Sequence, residues 1–303
     1  MKRAIRVAIP FIVAALVASA CGGAGTSGGA KPAITIGSTN FSEQLVLGEL
    51  YSQILEANGY TVTRKFNLGN REIVFPALQS GQIDMEADYL ATLLAFVDKT
   101  ATGSTDPKQT AVTLQKALDS KSLTVLDYAP AVDQNGFVVT KATADKYKLA
   151  KLSDLAPVAS QLVLGGPAEC PNRPFCAIGL KNTYGLTFKE FKALDTGGPL
   201  TVQALIGGQI DVGLLFTSDS TIAVRGFVLL DDDKHLQLSD NVAPVVRNDY
   251  LTKAGDDFKK VINSVAPKLT TAELTGLNKQ VDVDKKDPKD IAKEWLKKQD
   301  LIK

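Results

Sequence analysis

From residue 33 onward, apolar positions recur in two rhythms, every second residue and every third or fourth. AITIGSTNF (33–41) alternates apolar and polar residues and then breaks into turn formers, which predicts a strand ending in a loop. SEQLVLGELYSQILEANGY follows, with Leu45, Leu47, Leu50, Ile54 and Leu55 near helical spacing; Ser42 is placed to cap that helix and Gly59 to stop it. YTVTRKFNL (60–68) reads as a strand. GNREIVFPALQSGQIDMEADYLATLLAFV then gives a short helix, a strand around IDMEADY and a second helix from about Leu90. Strands alternating with helices predict a parallel sheet with crossover helices, whose ligand loops lie at the carboxyl ends of the strands. STNF and ADYLAT occupy such ends.

The same rhythm restarts near residue 135. NGFVVTK (135–141) predicts a strand, ATADKYKLAKLSDLA helical stretches, and QLVLGGP (161–167) a strand closed by a glycine turn. LTFKEFKAL has the spacing of an amphipathic helix. ALIGGQID (204–211) repeats ALQSGQID (77–84) at six of eight positions, 127 residues on. Each copy predicts a helix ended by a glycine and a strand entered through Ile-Asp, one corner used in two similarly wound lobes. RGFVLLDDDKHLQLSDNVAPVVRNDYL predicts a strand returning toward the first unit, and the tail after it is helical with charged outer faces. The expected fold is therefore α/β and two-lobed. Lobe 1 comprises residues 33–134 plus 236–303, lobe 2 residues 135–235, and two crossing strands near Asn135 and Leu230 form a hinge. A cleft between two such lobes is where a small ligand binds.

The N-terminus changes the picture of location. MKRAIR carries three positive charges and AIPFIVAALVASA is an apolar run too short for a comfortable membrane span. Residues 1–20 thus read as a signal peptide. The small residues before Cys21 match a bacterial lipobox, with Cys21 lipidated as the mature N-terminus; the alternative is simple secretion after Ala18-Ser19-Ala20. Residues 21–32 are a Gly/Ser-rich flexible tether. Without Lys2, Arg3 and Arg6 the balance is 31 basic against 33 acidic residues, a net −2, with no basic run; nucleic acid is not an expected partner.

Export bears on the two remaining cysteines, Cys170 and Cys176 in ECPNRPFC, which read as a short-loop disulfide, with two free thiols as the alternative. One histidine, His235, in 303 residues leaves no room for most Ser-His-Asp or Cys-His arrangements, and there is neither a GxxxxGK[ST] loop nor HExxH. LLDDDK (229–234) places consecutive aspartates in different directions, as a solvated loop does. An enzyme is not expected, and no cofactor or metal is implied.

ITIGSTNFSEQLVLGELYSQILEANGY, GNREIVFPALQSGQID, DQNGFVVTK, LVLGGPAECPNRP, KNTYGL and APVVRNDYL, in this order and spacing, resemble the substrate-binding proteins of glycine betaine/choline (osmoprotectant) ABC transporters. The resemblance covers about residues 33–302. It implies a periplasmic-binding-protein-like fold that closes on a small quaternary ammonium ligand and hands it to membrane permease subunits. The protein would act as a monomer, held at the extracytoplasmic face of the cell membrane by the lipid on Cys21 alone.

The resemblance also implies a site. A trimethylammonium group has no N–H to donate, and aromatic faces suit its charge at about 0.5–2 kcal/mol per ring. Tyr89 and Thr92 fall on a family pattern close to EYTGT, from which this chain departs at Asp88, Leu90 and Ala91. Further ring candidates are Phe41, Phe137, Tyr184 and Phe216; Phe41 could instead staple its helix, and Phe137 could be core. Arg173, inside the cysteine loop, is the candidate for a ligand carboxylate. Asn40, Gln44, Asn135, Thr217 and Asp219 lie at strand ends as polar contacts, although Asp219 could instead cap a helix. Trp295, in the tail, is expected to pack. Two rivals remain: the same fold binding another small solute, such as an amino acid or aromatic compound, and a sensory domain.

Overall fold

A computed structural model describes residues 31–303, which form one compact unit. The leader, the lipidation candidate Cys21 and most of the tether lie outside the described residues. Among the described residues, no helix is long and apolar enough to cross a membrane.

In chain order the first sheet begins with β1 (Ile34–Gly37), α1 (Ser42–Ala57), β2 (Val62–Lys65), α2 (Arg71–Gln79), β3 (Met85–Tyr89), α3 (Leu90–Val97), α4 (Pro107–Asp119) and β4 (Leu123–Val125). The second comprises β5 (Asn135–Val139), α5 (Lys141–Tyr147), β6 (Val163–Pro167), α6 (Ala177–Tyr184), β7 (Glu190–Leu194), α7 (Pro199–Ile206), β8 (Val212–Phe216), α8 (Thr221–Arg225) and β9 (Val228–Leu229). The chain then returns to the first sheet through β10 (Val242–Arg247) and ends in α9 (Asn248–Asn263), α10 (Thr271–Asp282) and α11 (Pro288–Lys298).

The strand orders are β2-β1-β3-β10-β4 and β7-β6-β8-β5-β9. In each, three parallel strands are followed by two antiparallel pairings, so the sheets have the same winding. Both faces of the first sheet are covered. Met85, Ala87 and Tyr89 of β3 face the core built with α1 and the tail helices, while Ala243 and Val245 of β10 belong to the core built with α2, α3 and α4. Such double coverage is what turns a strand into a continuously buried run, and β3 is buried along its length.

The repeated octapeptide is the same corner twice. α2 and α7 each terminate at a glycine with positive φ, Gly81 (78°) and Gly208 (64°), where a side chain would be strained. The amides of Gln82 and Gln209 return to Ala77 and Ala204, at 2.9 and 2.8 Å. Next, Asp84 donates its amide to the Thr35 carbonyl (2.7 Å) and accepts the Thr35 N–H on Oδ2 (2.9 Å). Asp211 does the same to Val163, at 2.9 and 2.8 Å. Each aspartate thereby fixes the start of the neighbouring parallel strand. Ile83 fills the space over Gly37 and Ile210 that over Gly165, where an added methyl would collide in both cases.

LTFKEFKAL departs from the helical expectation. Its residues 190–194 form the edge strand β7, in register with β6 from Val163↔Glu190 to Pro167↔Leu194, and the crossover helix is the preceding α6. The spacing of Phe188 and Phe191 serves either structure; pairing with β6 decided it. α1 starts at Ser42 with Phe41 as its N-cap residue, and no side chain caps it.

Between the sheets the chain crosses twice, around Asp133 and around Asp240, and the crossing segments pair. Leu230, expected at the second crossing, instead donates its amide to Phe137 and is buried in the second-sheet core. Val132 bridges Asn241 antiparallel, Asp133 donates its amide to the Asp240 carbonyl (3.1 Å), and Val242 donates to Ala131 (3.0 Å). α11 lies along α1, with Trp295 buried and its indole N–H on Glu273 (2.8 Å).

Candidate functional site

A cavity of about 730 Å³ opens where the ends of β1, β3, β5 and β8 converge, lined from both sheets. Asn40 and Phe41 reach it from the loop after β1, Gln44 from the first turn of α1, Tyr89 from the last position of β3 and Thr92 from the first turn of α3. Asn135 opens β5, Phe216 ends β8, and Arg173 comes from the loop closed by a disulfide between Cys170 and Cys176. Strand ends are where backbone pairing stops, so side chains there are free to face a ligand.

Three rings gather. Phe41 stacks near Tyr89, with centroids 6.4 Å apart and planes at 23°, and on Phe216 at 5.1 Å and 29°. The Phe41–Phe216 contact joins the two sheets. Tyr89 is fixed by its hydroxyl, which donates to Glu43 Oε1 (2.5 Å) and accepts from Gln44 Nε2 (3.1 Å). Burial and the Glu43 charge push the Tyr89 phenol well above its ordinary range, so it remains a donor. Phe96 and Phe175 also line the cavity.

The charged groups around the rings are largely paired. Arg71, partly buried, donates to both Asp88 oxygens (2.9 and 2.5 Å) and to Thr92 Oγ1 (2.8 Å). Burial opposes its charge, and Asp88, Asp240 and Glu86 more than restore it. Asp240 Oδ1 accepts from the Ala91 and Thr92 amides (2.8 and 2.9 Å). Burial still pushes Asp240 up to about 7. Glu86, on β3 behind the site, has neither oxygen hydrogen-bonded; burial and Asp88 push its pKa well above its ordinary value, and Arg71 opposes the rise.

Arg173 spans the cleft. Its Nη2 meets Glu72 Oε2 of α2 at 2.8 Å, and its guanidinium lies 5.6 Å from the centre of the Phe96 ring. Its Nε is buried without a protein acceptor. Burial, and the neighbouring Arg71, hold its pKa below the usual value. The loop that carries it is anchored through the Phe175 carbonyl, which accepts from Asn135 Nδ2 (3.0 Å) and Gln237 Nε2 (2.9 Å).

Four sequence candidates lie elsewhere. Phe137 sits on β5 two residues beyond Asn135, about 7 Å deeper by strand rise, and is 1% exposed in the second-sheet core. Tyr184 ends α6 and donates its hydroxyl to Asp232 (2.5 Å) while accepting from the Lys234 amide (2.7 Å), away from the cavity. Thr217 accepts the Gln134 amide on its Oγ1 (2.9 Å), stitching β8 to the crossing segment. Asp219 caps the next turn through the Thr221 amide (2.7 Å), and burial pushes its pKa up to about 6. The aspartates of LLDDDK are likewise occupied: Asp232 also accepts from the Leu236 and Gln237 amides, and Asp233 from Ser153. No cluster of three potential metal ligands occurs among the described residues.

Sequence reasoning passed over Arg71, Asp88, Asp133, Asp240, Phe96 and Phe175, all of which line the cavity. The signal for Arg71 and Asp88 was available, since both stand at element ends facing the predicted cleft. Nothing local marks Asp240 or Phe175. The lining holds five carboxyl groups, Glu72, Asp88, Asp133, Glu169 and Asp240, against three cations, Arg71, Lys99 and Arg173. Burial pushes Asp133 and Asp240 up, and Asp88 and Glu72 are paired with Arg71 and Arg173, so the aromatic faces are what favours a cation that donates no hydrogen bond.

A family model described as the substrate binding domain of ABC-type glycine betaine transport system matches residues 32–298. The carnitine transport binding protein of Listeria monocytogenes serotype 1/2a (strain 10403S) is 27% identical over 293 residues, 95% of this chain and 94% of that protein. A glycine betaine-binding protein of Escherichia coli (strain K12) is 26% identical over 280 residues, 89% of this chain and 92% of that one. Among solved structures, a glycine betaine/carnitine/choline ABC transporter protein superposes with a TM-score of 0.70 at 29% identity, covering 88% of this chain and 99% of the other.

Proposed function

This chain belongs to the substrate-binding domains of ABC-type glycine betaine transport systems, and we propose that it holds a quaternary ammonium group among Phe41, Tyr89 and Phe216. It is an extracytoplasmic solute-binding protein, not an enzyme; its cargo passes to an ABC permease. The observation that carries the ligand reading is the convergence of three rings from two sheets inside one cavity. Both relatives named above are named for trimethylammonium carboxylates, carnitine and glycine betaine. For such a ligand Arg173, which lines the cavity, is the guanidinium that would take the carboxylate, with Nη2 held by Glu72 and Nε buried without a protein acceptor. Asn40, Gln44, Thr92 and Asn135 complete the polar lining.

In the same reading the lobes are residues 33–134 with 236–303, and 135–235. They close by bending at the paired crossing segments around Asp133 and Asp240. The protein works as a monomer, tethered through lipid on Cys21; a Cys21→Ser form remaining in the membrane fraction would remove that anchor.

The test is calorimetric titration of a form lacking residues 1–21 with glycine betaine and then choline. Saturable binding of either supports the reading, and no heat from both would move the assignment to another solute. Tyr89→Ala should weaken either ligand by roughly tenfold or more, the upper end of one ring's contribution. Arg173→Ala should weaken glycine betaine far more than choline; equal losses would mean that Arg173 does not read the carboxylate.

A further inference from the structure

Glu43 is the one residue of this neighbourhood that touches the rings' support without lining the cavity. It lies in the first turn of α1 and is 3% exposed. Oε1 accepts the Tyr89 hydroxyl (2.5 Å); Oε2 accepts the Ser218 hydroxyl (2.7 Å) and Asn278 Nδ2 (2.5 Å). Burial raises its pKa, and the hydrogen bonds from Tyr89, Asn278 and Ser218 work against that rise by favouring the ionised form. Among the described residues no lysine, arginine or histidine forms an ion pair with it. The charges that do face it are acids, Asp133 from the crossing segment and Asp282 from α10. A buried carboxylate with three donors and no counter-ion is costly to keep unless a cation completes the site.

Tyr89 connects that charge to the cavity. A phenol that donates a short hydrogen bond to a carboxylate has more electron density in its ring, and a richer ring face attracts a cation more strongly. We propose that Glu43 is a positioning residue that makes the aromatic site selective for cations, supplying its charge through the Tyr89 hydroxyl and not by touching the ligand. The inference rests on the quaternary ammonium reading above and deepens it. Ser218, two residues after Phe216, shares the same carboxylate, so Glu43 also ties the Tyr89 ring to the strand end that carries the Phe216 ring.

The readout that separates charge from packing is a pair of ligands with one shape. Choline and its uncharged carbon analogue, 3,3-dimethylbutan-1-ol, are titrated against the form lacking residues 1–21, Glu43→Gln, Tyr89→Phe and the double variant. Glu43→Gln should lower choline affinity about five- to tenfold, within the range of one cation–ring contact, and leave the neutral analogue within twofold. Tyr89→Phe should do the same, and adding Glu43→Gln to it should cost little more, because the conduit is already cut. Equal losses for both ligands in Glu43→Gln would reduce Glu43 to a packing role and overturn the proposal, as would fully additive losses in the double variant. Should Glu43→Gln not fold, Tyr89→Phe alone decides, since an unchanged choline-to-analogue ratio there refutes the hydroxyl's part. If the parent protein binds no choline or glycine betaine, the ligand reading itself has failed, and this inference with it.

Discussion

Replacing Asp240 with asparagine should make the protein more stable at pH 8 than its parent and flatten its dependence on pH. Asp240 is 4% exposed, and its Oδ1 accepts from Ala91 N, Thr92 N and Thr92 Oγ1. Burial is the main cause that lifts its pKa from 3.8 to about 7; Asp88 adds to the rise, and Thr92 and Arg71 oppose it. A folded pKa above the unfolded one means that the native state binds more protons than the unfolded state between those two values. Stability is therefore lost as pH rises from about 4 to about 7. At 1.36 kcal/mol per unit, the side chain's contribution falls by about 3 kcal/mol from pH 5 to pH 8. Asparagine keeps the Oδ1 acceptor and carries no charge, so it escapes that loss. Urea unfolding at pH 5 and pH 8 measures it: with a slope of about 3 kcal/mol per molar, the midpoint gap between variant and parent should shift by roughly 1 M. Comparing the two proteins cancels the other buried acids, Glu43, Glu86 and Asp133, to the extent that they act independently. Parallel pH profiles for parent and variant would refute the reasoning.

The duplicated corner makes a matched pair of predictions. Asp84→Ala and Asp211→Ala each leave a strand-starting N–H without its side-chain acceptor and should each cost about 1–2 kcal/mol in urea unfolding, similar to one another because the geometry is the same; one neutral and one damaging would mean that the corners are not equivalent. The double Cys170→Ser/Cys176→Ser variant should lose about 2 kcal/mol, the chain-entropy value for so short a loop. Its melting point should then be indifferent to reductant, while the parent's falls; a parent equally indifferent would argue against a bridge.

The two-rhythm pattern and the repeated octapeptide carry the architecture in the sequence itself, because a helix ended by glycine and a strand entered through Ile-Asp are local events that each copy specifies alone. Residues at strand ends could likewise be named as candidates, and Phe41, Tyr89 and Phe216 do meet in the cavity. What period and position could not supply was depth. Asn135 and Phe137 share a strand face, yet one lines the cavity and the other is core, because β5 enters its sheet from the cleft. Phe188 and Phe191 fit a helix or a strand until β6 offered β7 a partner. Least legible were the polar connections: Arg173 finds Glu72 across 101 residues, and Glu43 gathers Tyr89, Ser218 and Asn278 from three other elements. Hydrophobic burial is set by local spacing and so is written along the chain. A buried charge is satisfied only by whichever donors the folded lobes bring to it, and that the tertiary structure alone decides.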